Sequence, residues 1–200
     1  MAAETRLYYQ GHGSYRLTGE DGLVLYVDPF AGDGYDEPAD VILVTHQHFD
    51  HNRIDLPARK ENCLVIQNED ALKAGIYQEF QVDGCRIRAV PAYNKNHSRT
   101  ECVGYFIYLD GLLIYASGDT SITEEMSAYP AHHIDYALFP ADGIYNMDEN
   151  EARECGKIVK AAHNIPIHMK PGELYDEKMA AGFQSDGWLT VRPGEEIILS

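Results

Sequence analysis

Short apolar runs broken by glycine-bearing turns open the chain. Residues 6–9 (RLYY), 14–19 (SYRLTG) and 23–28 (LVLYVD) read as strands, with turns at Gly11, Gly13 and Gly22. Residues 41–45 (VILVT) form a continuous apolar run, the pattern of a strand covered on both faces. Further strand-like runs occupy 63–67, 81–92, 103–109, 112–117, 135–140, 188–191 and 196–200, and Asp110-Gly111 supplies the two-residue turn of a hairpin. The clearest helix spans 148–163: Asp148 and Glu151 have capping-box spacing, and Ala152, Cys155, Ile158, Val159 and Ala162 recur on one face. Shorter helices are predicted after Asn68, Ser121 and Tyr175. Strands in two groups with helices between them predict a layered α/β sandwich, and the absence of linkers or repeats predicts one domain over residues 1–200.

Composition narrows the function. With 44% hydrophobic residues in 200 the chain can bury a sizeable core, which excludes a disordered protein. Sixteen basic against thirty-two acidic residues give a formal charge of -16, which repels nucleic-acid phosphates and anionic membranes. The first residues lack a basic start followed by an apolar core, and no apolar run approaches the ~18 residues of a membrane span. These features predict a soluble, cytoplasmic protein whose partner is a small-molecule substrate, with no nucleic-acid or membrane partner; a homo-oligomer stays open. Cys63, Cys85, Cys102 and Cys155 form no CxxC pair and read as reduced core thiols.

The candidate chemistry follows the apolar run at 41–45. In THQHFDH, His46 and His48 are two apart, so in an extended segment both side chains project to one side and can reach one ion. If the chain turns into a helix after His48, Asp50 and His51 leave at a different angle, suited to a second ion. Zinc favours imidazole and carboxylate ligands, and catalytic sites keep a position open for water. His132, His133 and His163 fit no such pattern and read as surface or interface residues.

The HxHxDH motif at a strand end resembles the signature of the metallo-β-lactamase-fold superfamily. That resemblance implies a four-layer αββα sandwich with the metal site at the edge between the two sheets. It also implies three later ligands: His97 in PAYNKNHSR, Asp119 in YASGDTS and His168 in IPIHMKPG. His46, His48 and His97 would hold one ion and Asp50, His51 and His168 the other, with Asp119 bridging. The pair would be zinc first, with manganese or iron as alternatives.

YYQGHGSYRL, VDPF, PAYNKNH, GDT and PADGIYNMDENEA together resemble a small branch of metal-dependent hydrolases that includes ascorbate-6-phosphate lactonase-like proteins. Redox diiron members typically carry glutamate where this chain has His48, so hydrolysis is expected. The implied reaction uses a metal-bridged hydroxide on an ester, lactone or phosphodiester, with Asp50 moving a proton. His12 becomes an active-site candidate, touching substrate or transferring a proton. Asp28 is expected to accept a hydrogen bond from a ligating histidine, and Asp55 is a weaker candidate for that role. Arg99, Lys95 and Lys170 beside the ligands suggest a small anionic substrate, and Tyr93, Asn94 and Tyr145 either line its pocket or belong to the core. The alternative is a non-catalytic metal-binding or regulatory protein on the same fold.

Overall fold

Two six-stranded sheets face each other in the computed structural model, which describes residues 4–185 and 187–200. The first comprises β1 (Arg6–Gly11), β2 (Ser14–Thr18), β3 (Val24–Val27), β4 (Ala39–Leu43) and β5 (Arg59–Ile66). After helix α1 (Asn68–Ala71) and the short pair β6 (Leu72–Lys73) and β7 (Ile76–Tyr77), the second sheet begins. It comprises β8 (Glu79–Val82), β9 (Cys85–Pro91), β10 (Val103–Leu109), β11 (Leu112–Ala116), β12 (Tyr136–Pro140) and β13 (His163–Ile167). Helix α2 (Glu149–Val159) links its last two strands, and α3 (Glu177–Gly182) precedes β14 (Glu196–Ile198), which returns to pair with β1. The strand orders are β14-β1-β2-β3-β4-β5 and β13-β12-β11-β10-β9-β8.

Period-two alternation decides what each strand buries. Leu7, Leu17, Leu25, Val41 and Leu43 from the first sheet meet Ile87, Tyr105, Ile107, Ile114, Leu138 and Ile165 from the second in one core. The opposite faces differ. Phe106, Tyr115, Ala137 and Phe139 pack beneath α2 and a 3₁₀ segment, Glu124–His132, through Ala152, Cys155, Met126 and Tyr129. Over the first sheet, Tyr26 and Ile42 are covered by Tyr35, Ile54 and Leu56, from loops. The helical layer expected on that side is reduced to packed turns.

Several predicted boundaries move for local reasons. The 81–92 run divides at Asp83-Gly84, where both residues take positive φ and close a hairpin between β8 and β9. Helix α2 starts as expected, with Asp148 accepting from the Glu151 amide, but stops at Val159 because Lys160 turns left-handed (φ 54°) and donates to the Gly156 carbonyl. Residues 163–167, placed at the end of that helix or left unassigned, form β13. In the predicted strand 188–191 only Trp188 makes a bridge, to Asn164. The segment after His48 forms a turn closed by the His51 amide on the His48 carbonyl, not a helix. Cys85, Cys102 and Cys155 are buried free thiols, as expected. No helix among the described residues is long and apolar enough to cross a membrane.

Candidate metal centre

β3, β4 and β5 run parallel to one another, as do β11, β12 and β13, so their carboxyl ends collect at one edge of the sandwich. Asp28 follows β3, the 46–51 loop follows β4, Asp119 follows β11, Asp142 follows β12 and His168 follows β13. His97 sits in a turn beyond β9, bridged to Asn94, and His12 lies in the turn between β1 and β2. Ligands sit where parallel strands release the chain, because only there do several connections meet in one crevice. His12, Asp28 and His168 hold left-handed backbones (φ 57°, 46° and 47°), conformations that cost non-glycine residues energy and recur at functional sites.

The side chains converge in two main groups, with Asp28, His46 and His51 forming a third that shares one histidine with each. His46, His48 and His97 offer ring nitrogens within 4.8 Å of one another, and so do His12, Asp50, His51 and His168 with their nitrogens and carboxylate. Asp119 lies between the groups. Its Oδ1 is 3.5 Å from His51 Nε2, and its Oδ2 is 3.2 Å from His97 Nε2 and 3.5 Å from His168 Nε2. Tetrahedral ligands held ~2.0–2.2 Å from zinc are themselves roughly 3.3–3.6 Å apart, so this spacing suits donors around a shared ion.

Which nitrogen of each histidine points inward follows from what holds the other. Asp28 accepts the Thr45 amide on Oδ1 (2.7 Å) and the Thr45 hydroxyl on Oδ2 (2.7 Å), and His51 Nδ1 donates to the same Oδ2 (2.9 Å). With its proton given to Asp28, the Thr45 oxygen can accept from His46 Nδ1 at 3.0 Å. His97 Nδ1 donates to Asn94 Oδ1 (2.9 Å), and His168 Nδ1 lies 3.1 Å from Asp142 Oδ2. His12 Nδ1 donates to the Glu173 carbonyl (3.0 Å). The Nε2 atoms of His46, His51 and His97 are thereby left as lone pairs, those of His46, His51 and His168 are buried without a hydrogen-bond partner, and His12 Nε2 instead donates to Asp50 Oδ2 (3.0 Å). Buried polar atoms this rarely go unpaired, and three around two carboxylates fit a cation.

The charges reinforce one another. Burial alone raises a carboxyl pKa, yet His168, His51 and His97 hold Asp119 well below the usual carboxylate range. Hydrogen bonding to His12 and the nearby His168 outweigh burial at Asp50 in the same way. Burial likewise opposes, and His168 with the amides of Tyr145 and Ile144 overcomes, at Asp142, which falls to about 2. His168 and His51 move up despite burial, because Asp119 and the carboxylates of Asp142, Asp50 and Asp28 face them. His46 and His48, desolvated and beside other histidines, move down.

A cavity of about 600 Å³ opens above this cluster, with Asp50, His97 and Asp119 at its floor and Gln47, His48, Phe49, Asn96, Tyr145 and Pro171 around it. Other expected residues lie elsewhere. His12 is fully buried (0%) behind Asp50, its Nε2 3.0 Å from Asp50 Oδ2, so it positions that carboxylate and cannot touch substrate. Asn94 holds His97 and also donates to the Tyr145 carbonyl, so it orients a ligand. Arg99 is spent on Glu125 and the face of Tyr93, and Lys170 pairs with Glu173; neither lines the cavity. Asp55 is exposed and paired with Arg53. Two functional residues escape sequence reasoning. Asp142 and Asn146 lie in PADGIYN, and Asn146 Nδ2 donates to both Asp119 (2.9 Å) and Asp142 (2.8 Å). Both belong to the PADGIYNMDENEA motif that carries the resemblance, where an Asp-Gly turn closing an apolar strand is the local signal, but the motif alone assigns a role to neither.

The profile of the Beta-lactamase superfamily domain matches residues 6–168. A UPF0173 metal-dependent hydrolase of Nitratidesulfovibrio vulgaris is 30% identical over 194 residues, covering 82% of this chain and 80% of its own. Another, from Thermococcus onnurineus, is 29% identical over 189 residues, covering 82% and 84%. A crystal structure from Parabacteroides distasonis, 26% identical, superposes with a TM-score of 0.75 over 96% of this chain and 94% of its own. The fold is shared with Igni18, a metallo hydrolase of Ignicoccus hospitalis, at a TM-score of 0.75, 21% identity and 98% of each chain. With motif, strand-end geometry and relatives in agreement, the chain belongs to the β-lactamase superfamily, alongside its metal-dependent hydrolases.

Proposed function

We propose that the protein is a hydrolase of small esters, lactones or phosphodiesters that works with two divalent ions, zinc first and manganese or iron as alternatives. His46, His48 and His97 would hold one ion, Asp50, His51 and His168 the other, and Asp119 both. The observation that carries this reading is the set of buried Nε2 lone pairs around Asp50 and Asp119 at the floor of an open cavity. When bound, such ions supply a water acidified toward neutrality and a Lewis acid for the carbonyl or phosphoryl oxygen.

The chain's own residues do the rest. Asp28, Thr45 and Asn94 fix the tautomers of His51, His46 and His97, and Asp142 faces His168 Nδ1 at 3.1 Å, so the donors are already aimed when an ion arrives. Asp50 is half-buried and lines the cavity, while His12 steadies it from behind. Held ionised, it can orient the attacking water and pass its proton to the departing oxygen.

Elemental analysis after zinc loading, with turnover of a panel of lactones, carboxylic esters and phosphodiesters, tests the reading. Two ions per chain and metal-dependent turnover are expected; fewer than one ion per chain would overturn the ligand assignment. Asp119→Ala should weaken both positions and reduce turnover by orders of magnitude. A variant that still binds two ions as tightly as the wild type removes Asp119 from between them.

A further inference from the structure

The cavity above the candidate centre is apolar at its mouth and has no cation of its own. We propose, resting on the hydrolase reading above, that its substrate is an uncharged ester or amide whose apolar, preferably aromatic, group packs on Phe49 and Tyr145.

Phe49 (73% exposed), Ile144 (58%) and Tyr145 (52%) are among the few large hydrophobic side chains left in solvent among the described residues, and Phe49 and Tyr145 line the cavity, with Ile144 next to Tyr145 in sequence. They are held there. Phe49 sets its ring edge against Phe30 at 5.8 Å, and Phe30 lies 5.1 Å from the ring of buried His12. The amides of Ile144 and Tyr145 both donate to Asp142 Oδ1, at 2.7 and 2.6 Å. Apolar side chains fixed in solvent at the rim of a concave polar site mark a ligand surface.

Charge argues in the same direction. An anionic substrate needs donors, and the cationic side chains nearby are paired or lie outside the cavity. Arg99 is engaged with Glu125, Lys170 pairs with Glu173, and Lys95 lines a neighbouring hollow beside Glu151. The two side-chain amides at the wall are also engaged: Gln47 Nε2 donates to Gln67 and Asn68, and Asn96 Nδ2 to the Tyr145 carbonyl. The chain as a whole carries a formal charge of -16, which opposes an approaching anion. Only the reacting carbonyl is drawn to the floor, so the remainder of the molecule is best neutral. In the reaction water adds to the acyl carbon, the acyl–oxygen or acyl–nitrogen bond breaks, and the proton goes to the departing atom.

The test uses zinc-loaded protein and three ethyl esters that differ only in the acyl group: phenylacetate, acetate and hydrogen succinate. We expect kcat/KM for ethyl phenylacetate to exceed both others by about tenfold or more, the scale of burying an aromatic ring. Phe49→Ala and Tyr145→Ala should each shrink the phenylacetate-to-acetate ratio by about the same factor. Ile76→Ala, which removes an exposed side chain elsewhere, should leave the ratio alone. The proposal is overturned if ethyl hydrogen succinate matches the phenylacetate, or if neither cavity variant moves the ratio. A shift in sedimentation with an unmoved ratio overturns it too, by making the rim a face between copies. If no ester is turned over, ester hydrolysis fails separately, and saturation-transfer NMR on the loaded protein decides the substrate class. Binding of phenylacetamide that Phe49→Ala abolishes supports the inference; preferential binding of phenyl phosphate or succinamate refutes it.

Discussion

Asp28 shows how much one buried carboxylate can organise. It accepts three hydrogen bonds, two from Thr45 and one from His51, and through the Thr45 hydroxyl it also sets the tautomer of His46. Asparagine has one oxygen to offer, so in Asp28→Asn an amide N–H faces either the Thr45 N–H or the His51 N–H. Metal affinity should fall about 10–100-fold, the usual cost of losing a partner behind a ligand. Stability should fall by about 1–3 kcal/mol from the unsatisfied donor. Isothermal titration with zinc and a urea melt measure the two effects, and wild-type affinity in the variant would dissociate Asp28 from the histidines.

At the scale of elements, the turn between β1 and β2 is fastened to the segment after β13. The His12 amide and Nδ1 bond the carbonyls of Leu174 and Glu173, and the His168 amide bonds the His12 carbonyl. Gly11 permits this approach: its φ is 113°, and an added Cβ would lie 2.8 Å from Leu174 Cβ. Gly11→Ala should therefore cost about 1–3 kcal/mol and loosen the hold on His12 and Asp50. Chemical denaturation checks the first effect and zinc titration the second. A variant as stable as the wild type would show that the contact yields freely. The same contacts explain what the sequence could and could not tell. HxHxDH was legible as a candidate because it follows an apolar strand and its spacing is local, while His97, Asp119 and His168 were named only through the family resemblance. Asp142 was not, because its meaning arises only when β12 and β13 lie side by side. Arg99 was misread because the acid that claims it, Glu125, becomes a neighbour by folding, whereas Glu173 stands three residues from Lys170 and was already visible in the sequence. The end of α2 was misplaced because Lys160 takes a left-handed turn that its residue type does not announce.

For the whole molecule, the protonation pattern links pH to metal. In the metal-free chain His168 and His51 titrate above their ordinary value near 6.5, so they stabilise the fold below it, and that contribution is lost as pH rises through their folded values. Asp50, Asp119 and Asp142 are depressed, so their contribution is present above about 3.9 and lost as pH falls through their folded values. His46 and His48, lowered, act in the opposite sense and cost stability as pH falls below about 6.5. The clear sign is therefore the acid one, and the metal-free fold should weaken as pH falls below about 4. An ion must displace the histidine protons, so its stabilisation grows with pH. The melting-temperature gap between zinc-loaded and chelated protein should be wider at about pH 8 than at about pH 6. Scanning calorimetry decides, and a gap that narrows with pH would remove the histidines from the centre. Asp142 carries a further consequence. One of its oxygens fixes the amides behind Ile144 and Tyr145 and the other faces His168, so the cavity rim and the floor share a single carboxylate. Occupancy of the two should therefore be reciprocal: whatever factor a bound ion applies to the grip on an aromatic group, that group returns to the grip on the ion.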